Sequence, residues 1–383
     1  MPRECGYAAL GIVGYWAPFP SDHARAMPLS PPADWLAAQS PTRAHALPAT
    51  AYIDADFAVR ERRAVFARSW QLVADATRLS AAGDHVVAQI AGVPILVLRG
   101  EDGDLRGFHN VCRHRAGPLA TCDGRGAKAL RCRYHGWTYT LDGMLRSAPE
   151  MAEADDFAVE TIRLPSIAVA EWRGLVFAAL QPAMPFAEVI DGIDARLGAR
   201  LAGYRFVRRV GYDIGCNWKT YIDNFLEGYH LPHVHPGLNR LLDYRSYRTE
   251  LARWHSLQWS PLETQDNFYG DGEALYYFLW PNTMLNILPG RLQTNRVIPL
   301  DAQHCRVEFD YFYPDNDDAA ELARREQDHV FSDEVQAEDI AICEAVQRGL
   351  ASGSYVAGRL NPKRESGVHH FQELLREALR DSA

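Results

Sequence analysis

The chain has 383 residues, of which 47% are hydrophobic and 23% are charged, and its formal net charge is -9. These values are typical of a globular protein, and the length favours two domains that each bury a core. Acidic residues outnumber basic residues by 49 to 40, and no run of Lys or Arg is present, which argues against a nucleic-acid-binding protein.

The sequence also lacks membrane and export signals. No stretch approaches the roughly 18 to 20 apolar residues that span a bilayer, and the N-terminus has no basic segment followed by an apolar one. Seven cysteines, an odd number in a long chain, do not indicate a disulfide framework. We therefore expect a cytoplasmic protein with no membrane partner.

The first half of the chain changes pattern twice. Residues 1–48 are rich in Pro, Ala and Ser and predict a loosely ordered N-terminal extension. Between Asp54 and Leu72 apolar residues recur at near-helical spacing and predict an amphipathic helix. Short apolar or alternating runs then predict a small antiparallel β domain, with Asp142-Gly143 as a hairpin turn. The predicted strands are 85–90, 93–99, 105–111, 129–133, 137–140 and 175–180. We assign residues 49–180 to this domain, leading helix included.

The second half mixes helices and strands. We predict a helix from about Phe186, a strand over 206–213 and a helix from about Asn217. One antiparallel sheet and a long closing helix over 319–350 follow. The predicted strands of that sheet are 251–259, 274–280, 284–288, 292–297 and 305–313. The whole is therefore an α+β protein, with a catalytic domain over residues 181–383.

Two short segments each combine one cysteine with one histidine. Cys112 and His114 are two residues apart and would point to the same side of an extended stretch. Cys132 and His135 follow 17 residues later, and Gly136 allows a sharp turn behind them. Two Cys and two His are the ligands of a Rieske [2Fe-2S] cluster, in which the thiolates hold one iron and the imidazoles the other. A structural zinc site with two Cys and two His is the alternative.

A second group of histidines follows Asn217. A helix would place Glu227 and His230 on one face, and Pro232 would end that helix so that the chain can bring His235 to the same metal. Two histidines and one carboxylate form the facial triad that binds Fe(II) and leaves positions open. From the residues alone, several carboxylates of the closing helix could be the third ligand. They are Asp333, Glu334, Glu338 and Asp339.

These segments resemble the Rieske non-haem iron oxygenases, oxygenase (alpha) component. The resemblance rests on Cys-x-His-x17-Cys-x2-His with Arg-Tyr-His-Gly-Trp, on Asn-Trp-Lys at 217–219 and on Tyr-His-x4-His-Pro at 229–236, and it covers roughly residues 46–375. It implies a small all-β Rieske domain followed by a helix-grip (START-like) catalytic domain. It also implies that Asp339, in the pattern Glu-Asp-x4-Glu-x2-Gln, is the third ligand of the catalytic iron.

The resemblance further implies how electrons move. In this family an acidic residue three positions before the first iron-binding His links the catalytic iron to a cluster-binding His of a neighbouring subunit. Those positions correspond to Glu227 and His135, although most ring-hydroxylating members have Asp in place of Glu227. A ring-shaped homo-oligomer, commonly a trimer, is implied.

The chain lacks the motifs that would bind NAD(P)H itself. Electrons should therefore come from a separate flavin or iron-sulfur reductase, directly or through a ferredoxin. Oxygen and a small molecule are the expected substrates.

The substrate prediction is narrower than the class prediction. The tail from Tyr355 to Leu375 and the residue Glu227 resemble the choline monooxygenase and betaine demethylase branch, which implies hydroxylation or demethylation of a quaternary ammonium compound. Six aromatic residues of the predicted sheet could form a cation-π cage, or could equally be core packing. They are Trp254, Trp259, Tyr276, Tyr277, Phe278 and Trp280. An aromatic-ring dioxygenase and a Rieske electron carrier without oxygenase activity are the alternatives.

Overall fold

The computed structural model describes residues 35–262 and 267–381. The described chain forms two compact units, one made of Phe66–Phe186 and the other of residues 35–65 together with residues 187–381. The smaller unit is built of β-strands and the larger combines one sheet with helices, which confirms the predicted α+β class. In the part of the chain that is described, no helix is both long and apolar enough to cross a bilayer.

The smaller unit contains two sheets. Strands β1–β9 are Gln71–Asp75, His85–Ile90, Val93–Arg99, Leu105–His109, Leu130–Arg131, Thr138–Tyr139, Leu145–Ser147, Ser166–Trp172 and Leu175–Ala179. Short 3-10 helices cover Phe66–Arg68, Ala76–Leu79 and Val159–Thr161. Six strands form one sheet in the order β1-β9-β8-β4-β3-β2, and β5-β6-β7 form the other. The predicted Asp142-Gly143 turn connects β6 to β7, with Gly143 at φ +85°.

The larger unit is a seven-stranded antiparallel sheet with helices. Its helices α1–α9 are Thr50–Ile53, Ala55–Ala64, Phe186–Val189, Ile193–Leu197, Trp218–Phe225, Leu231–Val234, Pro236–Leu241, Ala319–Ala351 and Ser366–Arg380, α3 beginning at the last residue of the smaller unit. Its strands β10–β16 are Tyr204–Ile214, Arg248–Leu251, His255–Pro261, Glu273–Leu279, Thr283–Leu288, Arg291–Pro299 and Cys305–Pro314. The strand order is β10-β16-β15-β14-β13-β12-β11, so the predicted single sheet is confirmed, although the predicted strand 251–259 is a hairpin of two strands.

The long helix α8 lies against this sheet. Its first turn is capped by Asp318, whose carboxylate accepts a hydrogen bond from the Glu321 backbone N–H at 2.8 Å. Ser332 of α8 accepts a hydrogen bond from Gln293 of β15 at 3.1 Å, and the Tyr311 hydroxyl of β16 lies 2.8 Å from the same oxygen. These contacts place one face of α8 over β15 and β16.

The segments before the small β unit belong to the larger unit. Helix α2 is shorter than the predicted helix, because the chain leaves it after Ala64 and enters strand β1 at Gln71. Within α2, the Glu61 carboxylate accepts a hydrogen bond from the indole N–H of Trp218 in α5 at 2.9 Å. Residues 35–48, predicted to be loosely ordered, include the buried side chains Trp35 and Leu47. Residues 1–34 of the predicted extension lie outside the described residues.

Candidate metal centres

Two loops of the small unit close with the same hydrogen-bond pattern. The Cys112 N–H donates to the Gly117 carbonyl at 2.8 Å, and the Ala116 N–H donates back to the Cys112 carbonyl at 3.0 Å. The Cys132 N–H donates to the Trp137 carbonyl at 2.9 Å, and the Gly136 N–H donates to the Cys132 carbonyl at 3.0 Å. Each loop thus presents a cysteine and a histidine from a tight turn.

The fourth position after each cysteine has a positive φ, +57° at Ala116 and +76° at Gly136. The turn predicted at Gly136 is confirmed. The expected extended conformation of Cys112 and His114 is wrong, because the Ala116-to-Cys112 hydrogen bond folds that segment into a turn.

The two cysteines and the two histidines of these loops differ in burial. The Cys112 and Cys132 side chains are buried in the hydrophobic core of this unit, whereas His135 is exposed. The His114 and His135 rings lie 4.5 Å apart between centroids, and the His114 ring stacks on Trp137 at 4.8 Å. The two cysteine sulfurs therefore lie on the inner side and the two imidazoles on the outer side, an arrangement that fits a [2Fe-2S] cluster with one iron held by sulfur and the other by nitrogen.

Further observations show that these loops fit such a group. The Nδ1 atom of His114 is buried and has no hydrogen-bond partner within residues 35–262 and 267–381, so it is available as a ligand atom. A Cβ atom on Gly117 would lie 2.8 Å from the Cys132 Sγ atom, so only glycine leaves the sulfur room. Burial raises the pKa of the Cys132 thiol, while the backbone N–H of Tyr134 donates to its sulfur and acts in the opposite direction. An N–H aimed at sulfur stabilises a thiolate ligand.

The second group lies in the larger unit, where the local structure differs from the prediction. Helix α5 ends at Phe225, so Glu227 and His230 lie in the turn that follows it and not on its face. Pro232 does not end that helix but lies in the first turn of α6, where a missing N–H costs no hydrogen bond. His235 then separates α6 from α7.

This turn brings the predicted ligands together. The side chains of His230, His235 and Asp339 each offer one ligand atom, and these atoms lie within 4.8 Å of one another. The Asp339 Oδ1 atom is 3.0 Å from His235 Nε2 and 4.0 Å from His230 Nε2. Two imidazoles and one carboxylate in this arrangement fit a mononuclear Fe(II) with open positions.

Two other carboxylates orient the imidazoles. Glu227 Oε1 lies 2.6 Å from His230 Nδ1, and Glu338 Oε2 lies 2.7 Å from His235 Nδ1. Each carboxylate accepts the Nδ1 proton, which leaves the Nε2 lone pair directed towards the triad. Burial lowers the pKa of His235, but Asp339 and Glu338 outweigh it and raise that pKa overall. The site therefore holds an excess of negative charge that a cation would neutralise.

The sequence prediction missed the roles of Glu338 and Asn224. Glu338 was one of the candidate ligands, and it instead accepts from the far side of the His235 ring. The Asn224 amide donates to Asp339 Oδ1 at 2.6 Å, which fixes the carboxylate. The adjacent Glu338-Asp339 pair was the available signal, because neighbouring helical residues can flank one imidazole.

Two cavities adjoin this group. The first, which we call the α8 cavity, has a volume of about 810 Å³ including its mouth, and the second has about 1440 Å³. Asn224, Glu227 and His230 line both cavities, whereas His235 and Asp339 line only the α8 cavity. The three predicted ligands thus face one cavity, and the Glu227–His230 pair can also be approached from a second side.

The aromatic lining of the α8 cavity differs from the predicted set. Of the six residues predicted from the sheet, Tyr276 lines it. Tyr277 points to the opposite face of β13, and Phe278 and Trp280 pack against Phe371 of α9. The core-packing alternative therefore holds for Phe278 and Trp280. Tyr277, Trp254 and Trp259 do not line the cavity either, and the indoles of Trp254 and Trp259 donate to Glu188 and Glu250. The observed aromatic lining is Tyr276 with Tyr221, Phe225, Tyr247, Tyr269, Phe309 and Phe331.

Comparison with known proteins decides the family. Residues 69–167 match the model of the Rieske [2Fe-2S] domain, and residues 201–381 match that of the ring hydroxylating alpha subunit, catalytic domain. The chain is 35% identical to choline monooxygenase, chloroplastic, of Arabidopsis thaliana, over 88% of this chain and 84% of that one. The chain belongs to the Rieske non-haem iron oxygenases.

This Rieske oxygenase has further relatives. It is 30% identical to the carnitine monooxygenase oxygenase subunit of Escherichia coli K12, over 89% of this chain and 96% of that one. The solved structure of a quaternary ammonium Rieske monooxygenase superposes with a TM-score of 0.81 at 27% identity, over 91% of this chain and 98% of that one. Naphthalene 1,2-dioxygenase from Rhodococcus sp. shares the fold at 19% identity, with a TM-score of 0.74 over 87% of this chain and 94% of that one.

Membership of this family establishes the general chemistry. The chain is an oxidoreductase with a Rieske [2Fe-2S] centre and a mononuclear iron, and its electrons come from a reductase.

Proposed function

We propose that this oxygenase hydroxylates or demethylates a quaternary ammonium compound. The observation that carries the proposal is the α8 cavity, in which seven aromatic side chains surround a space that opens onto the predicted iron ligands. Aromatic faces attract quaternary ammonium groups through cation-π interactions, and the carboxylates beside the triad add favourable charge. Relatives that oxidise choline and carnitine support the same class of substrate.

An aromatic-ring dioxygenase is the second candidate, and the cavity disfavours it. Its wall includes the buried amide side chains of Asn286, Gln293, Asn295 and Gln336. Asn286 Oδ1, Asn295 Oδ1 and Gln336 Nε2 have no hydrogen-bond partner among the described residues. A hydrocarbon in the cavity would leave each of these groups unsatisfied, at a cost of about 1–3 kcal/mol per group. A polar methylammonium compound would meet part of that need.

The residue roles are part of the proposal. Cys112 and Cys132 would hold the inner iron of the cluster and His114 and His135 the outer iron, while His230, His235 and Asp339 would hold the catalytic iron. The bound centres would supply electrons one at a time and a binding position for O2. Glu227 and Glu338 accept hydrogen bonds from the Nδ1–H groups of His230 and His235. The cavity orients a substrate C–H bond. The overall change consumes O2, two electrons and two protons and yields an alcohol and water.

Electron delivery extends the proposal beyond one chain. We propose a homotrimer in which Glu227 links His230 to His135 of a second copy. The exposure of His135 and the position of Glu227 on the wall of the second cavity support this arrangement. A flavin or iron-sulfur reductase would deliver electrons from NAD(P)H, directly or through a ferredoxin. A cytoplasmic location and a boundary near residue 180 stay predictions.

Substrate-dependent oxygen uptake in the presence of a reductase and NADH tests the function. Choline and carnitine are the test compounds, and 3,3-dimethylbutanol, the uncharged isostere of choline, is the matched control. We expect uptake and an oxidised product with at least one ammonium compound and none with the isostere. Uptake with naphthalene and none with either ammonium compound would overturn the proposal in favour of a ring dioxygenase.

A further inference from the structure

The α8 cavity contains a buried arginine that the reaction described above does not use. Among the described residues that line this cavity, Arg291 is the only arginine or lysine, and it is 5% exposed. Its NH1 group donates to Asp328 Oδ1 at 2.7 Å and lies 3.4 Å from the Tyr269 hydroxyl. Its Nε atom is buried and has no hydrogen-bond partner in the described part of the chain. Part of this guanidinium is thus held by the protein, and part of its donor capacity is unused.

Asp328 keeps this arginine in place. The carboxylate is fully buried and accepts hydrogen bonds from the hydroxyls of Tyr269 and Tyr313 as well as from Arg291. Burial lowers the pKa of Arg291, but Asp328 outweighs it, so the pKa is raised and the guanidinium stays charged. With both oxygens of Asp328 engaged, the ion pair is fixed. The unused Nε–H is therefore a preorganised donor.

Arg291 and the predicted iron ligands lie beside different turns of helix α8. Asp328, the partner of Arg291, precedes the predicted ligand Asp339 by 11 residues, which corresponds to about 16 Å along the helix axis. Between these turns, Ser332 and Gln336 also line the cavity. A molecule that reached from the iron towards Arg291 would therefore need several bonds between its two ends.

We propose that Arg291 binds the carboxylate of a zwitterionic substrate whose quaternary ammonium group lies several bonds away, and so selects such compounds over choline. This inference rests on the proposed function, because it assumes that the ammonium end lies near the triad. The carboxylate would pair with the Arg291 guanidinium, whose Nε–H has no hydrogen-bond partner among the described residues, and Gln336 Nε2 on the same wall is a second donor without a partner among them. Choline has a hydroxyl group and no anion to offer the guanidinium.

Calorimetric binding to the anaerobic, metal-loaded protein without reductase tests this inference, because no turnover occurs. The ligands are γ-butyrobetaine, which carries a carboxylate, and choline, which does not. Arg291→Lys keeps a positive charge beside Asp328 but removes the Nε–H donor and the planar fork. We expect the Kd for γ-butyrobetaine to rise about 10- to 100-fold, the usual weight of a charge-assisted hydrogen bond, and the Kd for choline to change less than about threefold.

Two further variants keep the test decisive. Arg325→Lys is the matched control, because Arg325 is equally buried in ion pairs with Asp317 and Glu321 but does not line the cavity. The double variant Arg291→Gln with Asp328→Asn removes both buried charges together, and it should still lose γ-butyrobetaine selectively if Arg291→Lys does not fold.

The outcomes separate this inference from the proposed function. Wild-type protein that binds neither ligand would overturn the proposed function. Two results would overturn the role of Arg291 alone. In one, wild-type protein binds choline more tightly than γ-butyrobetaine. In the other, the Arg291 variants weaken the binding of both ligands equally or of neither.

Discussion

Replacement of Glu338 by Gln should weaken iron binding at the mononuclear site without changing its ligands. Glu338 Oε2 lies 2.7 Å from His235 Nδ1, and His235 is 1% exposed, so water cannot replace the lost charge. The amide of Gln can still accept the Nδ1 proton, but it no longer makes the imidazole more basic. Partners of this kind are worth about 10- to 100-fold in metal affinity, or about 1.4–2.8 kcal/mol.

Competition with a chelator measures the affinity of this site for iron. Loss of the single mononuclear iron is recorded, and the visible spectrum of the cluster is followed separately. Glu334→Gln is the matched control, because it makes the same change one turn earlier on α8 at an exposed position. We expect the control to keep wild-type affinity. Equal iron retention by Glu338→Gln and wild type would refute the conclusion that this carboxylate orients His235.

Two predictions concern buried charges of the larger unit. Lys219→Met should lower the free energy of unfolding by about 3–5 kcal/mol, because it leaves the buried Glu61 carboxylate, 2.7 Å from the ammonium, without its charged partner. Adding Glu61→Gln should restore most of that free energy in urea unfolding, and a double variant with no restoration would contradict this explanation. Burial raises the pKa of Asp223 to about 7, although Tyr52 donates a hydrogen bond to it. The folded state then keeps a proton that the unfolded chain releases near pH 4, so stability should fall from about pH 4 to 7 by at most about 1.4 kcal/mol per pH unit. In urea unfolding at several pH values, Asp223→Asn should flatten the slope of stability against pH. Asp315→Asn, the same change at an exposed carboxylate, should leave that slope as it is. An unchanged slope in Asp223→Asn would contradict the raised pKa of Asp223.

Local patterns predicted most of the fold. Strands such as His85–Ile90 and Val93–Arg99 follow directly from apolar runs bounded by glycine, and α8 follows from its length and helical composition. The split of 248–261 into two strands was missed, because the turn between them contains none of the usual turn residues. Tertiary contacts overrode the pattern at residues 35–48, where Trp35 and Leu47 are buried.

The sequence predicted the first metal centre more completely than the second. The cysteines and histidines of the first are close in sequence, so spacing alone brought them together. In the second, His230 and His235 do lie together, but the local argument that joined Glu227 to His230 was wrong, because the turn after α5 and not a helix face aligns them. Periodicity could not separate Tyr276, which lines the cavity, from Phe278, which packs on Phe371, because residues two apart on β13 lie on the same face of the sheet.

Metal content per chain tests the central claim most directly, namely that one polypeptide holds a Rieske cluster and a separate catalytic iron. Protein reconstituted anaerobically should contain about three irons and two acid-labile sulfides, with the visible absorption of a Rieske cluster. Replacement of both His230 and His235 by Ala should remove one iron and leave that absorption intact. A protein that holds zinc alone, or a double variant that loses no iron, would contradict the account.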